Sequence, residues 1–189
     1  VVATETFMMA AVHAKGTTTL KNVAMEPEIE HLARFLNACG ARILGAGTPV
    51  ISIKGNGLLS ARGRAYTTPP DRIEAGSFLI LGALAAKDLT ITDCDPTQME
   101  SLLEILSYAG VPIERSAHSL RIRQKTSTGK QKKIFRSVEV KTHEYPGFPT
   151  DLQAPMTVFL TQTKGESMVF ETIFEGRLNY VEELNRMGA

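Results

Sequence analysis

Two periodicities alternate along the chain. From Thr4, the apolar residues Phe7, Met8, Ala11 and Val12 recur at helical spacing, which predicts a helix capped by Thr4 and closed at Lys15-Gly16. Residues 17–22 then read as β. Glu26-Pro27-Glu28 opens a second helix with Ile29, Leu32, Phe35 and Leu36 on its core face, and Gly40 stands where a left-handed C-terminal cap is wanted. Ile43 and the alternating run Val50, Ile51, Ser52, Ile53, Lys54 read as strands. The order is helix, strand, helix, strand, strand.

That order starts again at Asp71. A helix over 72–86 precedes a strand over 89–92, and Asp95-Pro96-Thr97 opens a helix carrying Met99, Leu102, Leu103, Ile105 and Leu106. Strands follow at Ile113 and at 120–123. A third round begins at Asp151, with a helix over 151–163, a strand over 167–171 and a helix over about 179–187. The breaks Lys15-Gly16, Lys87-Asp88 and Lys164-Gly165 give a period of roughly 70 to 80 residues, longer than solenoid repeats. The reading is an α/β (α+β) chain of about three βαβαββ units. The third stops before its closing strands, which predicts that the natural chain continues beyond Ala189. The units are expected at 1–60, 66–141 and 142–189, with a linker at 61–65 inside a stretch rich in Gly, Ser and Arg.

At 189 residues, with 43% hydrophobic and 22% charged positions, the chain has the composition of a globular protein with room for a sizeable core. A net charge of +1 offers no electrostatic footprint for nucleic acid, and no apolar run approaches the roughly 18 residues that would span a bilayer. Cys39 and Cys94 are isolated, and His13, His31, His118 and His143 are scattered, so neither a disulfide framework nor a metal site is indicated. A reducing, cytoplasmic setting follows, and no cofactor is expected. Five basic residues lie within 125–136, among Thr, Ser, Gly and Gln, and read as a solvated hairpin or loop.

The chemistry concentrates in Tyr145-Pro146-Gly147-Phe148-Pro149-Thr150-Asp151. Taken alone, Thr150 is a helix N-cap and Asp151 a first-turn acid, both suited to the unpaired amides of a helix start.

Wider context changes the weight of that turn. Thr4-Glu5-Thr6 with Met8-Met9-Ala10-Ala11, Glu26-Pro27-Glu28-Ile29, Pro70-Asp71-Arg72-Ile73-Glu74, Pro146-Gly147-Phe148-Pro149-Thr150-Asp151-Leu152-Gln153-Ala154, Glu171-Thr172-Ile173-Phe174-Glu175, Arg177 and Arg186-Met187-Gly188-Ala189 occur in order along the whole chain. In these runs the chain resembles the UDP-N-acetylglucosamine 1-carboxyvinyltransferases, or UDP-GlcNAc enolpyruvyl transferases. The resemblance implies an enolpyruvyl transferase-like fold, with repeated units around a pseudo-threefold axis in each of two domains and substrates bound between them. Residues 1–60 would be the last unit of the domain bearing the catalytic loop, and the rest would belong to the other domain. The implied reaction moves enolpyruvyl from phosphoenolpyruvate to the 3′-hydroxyl of UDP-N-acetylglucosamine, releases phosphate, and is the first committed step toward peptidoglycan. The shikimate-pathway sister and a non-catalytic relative of the same fold are the alternatives.

The resemblance makes Asp151 the acceptor of the sugar hydroxyl proton, Thr150 and Arg177 substrate-binding groups, and Ile173 and Phe174 pocket walls. Asp71 occupies in the second unit the place of Asp151 in the third, and with Glu26 it is expected on the substrate side. Val2, Tyr145, Gly176 and Leu178 depart from the family's usual Gly, His, Asn and Phe. The loop with the general acid, Cys or Asp, is expected upstream of Val1, and neither Cys39 nor Cys94 matches it.

Overall fold

The computed structural model describes residues 1–61, 63–123 and 134–189, so most of the basic segment at 125–136 lies outside the described residues. The chain divides into two compact units, Val1–Pro69 and Pro70–Ala189.

The first unit runs α1 (Val2–His13), β1 (Thr17–Lys21), α2 (Pro27–Ala38), β2 (Arg42–Leu44) and β3 (Val50–Lys54). Its strands form an antiparallel sheet in the order β1-β3-β2, with Thr17 opposite Lys54 and Ile43 opposite Ile53. Strand residues alternate between faces, so Ile43, Ile51 and Ile53 all enter the core, where they meet Met8, Ala11 and Val12 of α1 and Ile29 and Ala33 of α2. Two expectations need correction. Helix α1 starts before Thr4, which is therefore no cap; it is buried inside the helix, and its Oγ1 accepts from the Ala24 N–H at 3.1 Å. Phe7 is 61% exposed, because the buried stripe Thr4, Met8, Ala11, Val12 turns it to the edge.

The second unit repeats the plan with α3 (Arg72–Ala85), β4 (Asp88–Thr92), a 3₁₀ turn (Pro96–Met99) leading into α4 (Glu100–Tyr108), β5 (Ile113–Arg115) and β6 (Ser119–Arg123). Its sheet order, β4-β6-β5, is that of the first unit. Two separate two-stranded parallel sheets complete the unit. β7 (Phe135–Arg136) pairs with β9 (Thr163–Lys164), and β8 (Glu139–Lys141) pairs with β10 (Met168–Phe170), the crossover passing through α5 (Gln153–Leu160). α6 (Val181–Arg186) ends the chain.

Leu79 and Ile80 of α3, Leu102 and Leu106 of α4, Leu120 and Ile122 of β6, and Leu152, Met156 and Phe159 around α5 share one core. Gly76 lets α3 approach the turn before α5 closely: a Cβ there would lie 2.7 Å from Leu152 Cδ1 and 3.0 Å from Leu102 Cδ2. Among the described residues, no helix is long and apolar enough to cross a membrane, and no group of three or more His, Cys, Asp or Glu is placed to hold a metal ion.

Candidate functional site

The approach to Asp151 is built from the Pro-Gly-Phe-Pro run. The Tyr145–Pro146 peptide is cis, Gly147 donates its N–H to the Glu144 carbonyl at 2.8 Å, and Phe148 is buried. Ser101 of α4 donates its hydroxyl to the Gly147 carbonyl at 3.2 Å, tying the run to the core. Leu152, 1% exposed, is driven inward, and that anchors the preceding pair, Thr150 and Asp151, at the rim.

The segment starts as a 3₁₀ turn, Thr150–Leu152, capped positionally by Pro149, and becomes α-helical only from Gln153 to Leu160. The expected helix over 151–163 is therefore shorter, because residues 163 and 164 are taken by β9. Nor is Thr150 an N-cap. Its hydroxyl donates to Glu171 Oε2 at 2.8 Å, and its oxygen accepts from the Arg177 guanidinium at 2.9 Å. A charged acceptor on a neighbouring strand end outcompetes the local amides.

Arg177 carries the network on. Its second terminal nitrogen donates to Asp151 Oδ1 at 2.7 Å, and the guanidinium carbon lies 5.1 Å from the centre of the Phe174 ring. The Asp151 side chain is 57% exposed, so its carboxylate is open to solvent although one oxygen is engaged. The structure thus brings Thr150, Asp151, Phe174 and Arg177 together, with Ile173 on the same loop.

Glu171, quoted in the sequence only as part of the Glu-Thr-Ile-Phe-Glu run, proves central. Its Oε1 accepts the backbone N–H groups of Ile173 at 2.8 Å and Phe174 at 3.0 Å, while Oε2 takes the Thr150 hydroxyl. Burial, the largest single influence, pushes its carboxyl up, but the hydrogen bonds from Thr150, Ile173, Phe174 and Thr142 together hold it below the usual 4.5. Thr142, fully buried beyond β8, accepts from the Thr172 N–H at 2.8 Å, and the Thr172 hydroxyl donates back to the Thr142 carbonyl at 2.5 Å. Strand β8 and the Glu171 loop are stitched together there. Sequence reasoning had one usable signal for Glu171: an acid at the end of a strand, followed by a short loop whose amides need acceptors.

Beneath the turn, Tyr180 donates its phenol to Gln153 Oε1 at 2.9 Å and shares a hydrogen bond with Thr157 at 2.8 Å. Burial pushes the Tyr180 phenol up.

Asp71 caps a helix. Its Oδ1 accepts from Ile73 N at 2.8 Å and Glu74 N at 3.1 Å, so it caps α3. Next to it the buried Arg72 lies with its guanidinium carbon 5.5 Å from the centre of the Tyr145 ring. Glu26 belongs to the first unit. It stands at the N-cap position of α2 without a side-chain cap bond, is 8% exposed, and its Oε2 has no hydrogen-bond partner among the described residues.

Comparison with known proteins gives the family. The family model of EPSP synthase (3-phosphoshikimate 1-carboxyvinyltransferase) matches residues 1–189. The chain belongs to the EPSP synthase family. Within that family it is 46% identical over 187 residues to UDP-N-acetylglucosamine 1-carboxyvinyltransferase 2 of Prochlorococcus marinus, and 48% identical over 187 residues to the enzyme of the same name from Bacillus subtilis. Each alignment covers 99% of this chain and 42% of the relative, so the chain spans under half the length of the curated relatives it matches.

Among solved structures, the enolpyruvyl transferase NikO from Streptomyces tendae superposes with a TM-score of 0.79 at 24% identity, over 97% of this chain and 42% of that one. EPSP synthase from Acinetobacter baumannii gives 0.56 at 20% identity, over 96% and 41%. Both likenesses establish the fold: this is an α/β chain of the enolpyruvyl transferase type.

Proposed function

We propose that the chain is part of an enolpyruvyl transferase that moves the enolpyruvyl group of phosphoenolpyruvate to the 3′-hydroxyl of UDP-N-acetylglucosamine and releases phosphate. The observation that carries this reading is the exposed Asp151 carboxylate, aimed by Arg177 from within a network that includes Thr150 and Glu171. An alcohol attacking an enol carbon gains acidity as the C–O bond forms, and a fixed carboxylate can take its proton.

Thr150 and Arg177 have further roles in this reading. The guanidinium presents a planar donor set to anionic substrates, and the Thr150 oxygen stands beside it. Ile173 and Phe174 wall the sugar site from the loop that Glu171 holds. Asp71 and Glu26 are the further substrate-side carboxylates of this reading, and Asp71 also fixes the start of α3.

The choice of UDP-N-acetylglucosamine over shikimate 3-phosphate as acceptor is supported by the relatives, at 43–48% identity along this chain, that carry the former activity in their names. The reaction would be the committed entry to peptidoglycan synthesis, and so to cell-wall growth, shape and division, in the cytoplasm where both substrates are made. The test is phosphate release by the full-length protein with each acceptor. Release with UDP-N-acetylglucosamine alone, lowered on the order of 10²- to 10⁴-fold by Asp151→Asn, is the expected result. Release with shikimate 3-phosphate alone would replace the acceptor, and unchanged turnover in Asp151→Asn would remove Asp151 from the chemistry.

A further inference from the structure

We infer that Glu171 is the positioning residue of the site: it fixes the direction of the Thr150 hydroxyl and the place of the Phe174 loop, and through both it sets where Arg177 holds Asp151. This rests on the reading of Asp151 as the proton acceptor.

An ionised carboxylate only accepts hydrogen bonds. Thr150 has a single hydroxyl hydrogen, and it goes to Glu171 Oε2 at 2.8 Å. Only lone pairs of Thr150 Oγ1 are then left to face Arg177, which donates to them at 2.9 Å. The two terminal nitrogens of a guanidinium are locked in one plane, so fixing the first aims the second, and that second nitrogen meets Asp151 Oδ1 at 2.7 Å. A polarity chosen at Glu171 is thereby passed through one hydroxyl and one rigid cation to the reacting carboxylate.

A second route reaches the same guanidinium. Glu171 Oε1 gathers the N–H groups of Ile173 and Phe174, which sets the backbone of the loop that lays the Phe174 ring 5.1 Å from the Arg177 carbon. Arg177 is thus held in its plane by Thr150 and against its face by Phe174, and Glu171 governs both contacts. Tyr180, the other titratable group beside Glu171 and Arg177, turns its phenol to Gln153 and Thr157, so Glu171 meets the turn through Thr150. Glu171 is not itself a proton acceptor, since both of its oxygens are already engaged by donors.

Glu171→Gln keeps the shape and reverses this polarity. A glutamine whose carbonyl oxygen keeps the two backbone amides must turn its NH₂ toward Thr150, making that hydroxyl accept where it now donates. The experiment compares wild-type full-length protein with Asp151→Asn, Glu171→Gln, Thr150→Val and the Glu171→Gln/Thr150→Val double variant, measuring kcat, KM for UDP-N-acetylglucosamine and melting temperature.

The expected result for Glu171→Gln is a kcat lowered about tenfold to a hundredfold, the scale of a misplacement near 1 Å, exceeding any rise in KM, with the protein folded at the assay temperature. The double variant should lose no more than about twofold beyond the worse single variant, because both cut one chain of contacts. Loss of turnover in Asp151→Asn, with kcat in Glu171→Gln within about twofold of wild type, overturns the positioning role alone. So does a change confined to KM, or full additivity with Thr150→Val. Full turnover in Asp151→Asn overturns the proton-acceptor reading, and the inference falls with it. Should Glu171→Gln fail to fold, Thr150→Val decides: a lowered kcat at an intact melting temperature supports the inference, and a wild-type kcat overturns it.

Discussion

Arg177 and Asp151, 26 residues apart in sequence, are joined by a 2.7 Å ion pair, and the same guanidinium holds Thr150 at 2.9 Å. Two acceptors at fixed angles suit a planar donor fork and do not suit a single ammonium group. Arg177→Lys in the full-length protein keeps the charge and can serve one acceptor at a time. Its kcat/KM is expected to fall on the order of tenfold to a hundredfold, read from steady-state phosphate release. Wild-type kinetics would show that the positive charge alone suffices.

Buried Thr4 supplies a polar acceptor inside an otherwise apolar helix face. Thr4→Val conserves shape and leaves the Ala24 N–H without its 3.1 Å partner. The expected cost is about 0.5–1.5 kcal/mol, the loss of a hydrogen bond at a part-buried donor. Thermal melting of the full-length protein reads it as a lowered melting temperature, and Thr4→Ser should lose less.

Close packing of α3 against the site turn makes a second stability prediction. In Gly76→Ala the new methyl meets the ends of Leu152 and Leu102 together, and both leucines are fully enclosed. Overpacking of this kind costs about 1–3 kcal/mol. Because Leu152 directly follows Asp151, the variant should also lower kcat, and a loss of melting temperature with kcat intact would show that the turn absorbs the strain.

Glu171 couples stability to pH. Burial raises its carboxyl pKa and the donors from Thr150, Ile173, Phe174 and Thr142 outweigh it, so the folded value lies below 4.5. A depressed carboxylate stabilises the folded state fully above the unfolded value, and the contribution is lost as pH falls through the folded one. The melting temperature of wild type should therefore exceed that of Glu171→Gln near neutrality, and the gap should close as the buffer is taken below about pH 4.5. A gap unchanged down to pH 3 would contradict the assigned direction.

Local periodicity carried the fold a long way. Ile29, Leu102, Leu106, Ile51 and Ile53 are buried where the 3.6- and 2-residue periods put them, and the two helix-strand-helix-strand-strand blocks share one sheet order. It failed where a neighbouring segment competes. Thr150 and Thr4 both read as caps, since a threonine before an apolar helical stretch satisfies local amides when nothing else is near. In the folded chain each finds a partner about twenty residues away, Glu171 for one and the Ala24 amide for the other.

The sequence by itself determined the elements, their repetition, the apolar faces and the list of residues able to do chemistry at the Pro149-Thr150-Asp151 turn. These are properties of spacing and side-chain type, and spacing survives without a partner. Tertiary structure alone decided which oxygen accepts from which donor at the site: Glu171 from Thr150, and Thr150 and Asp151 from Arg177. A hydrogen bond needs two groups within about 3 Å at a favourable angle, and pairings between residues 21 to 27 positions apart depend on the fold that pairs β8 with β10 and packs α5 on α3.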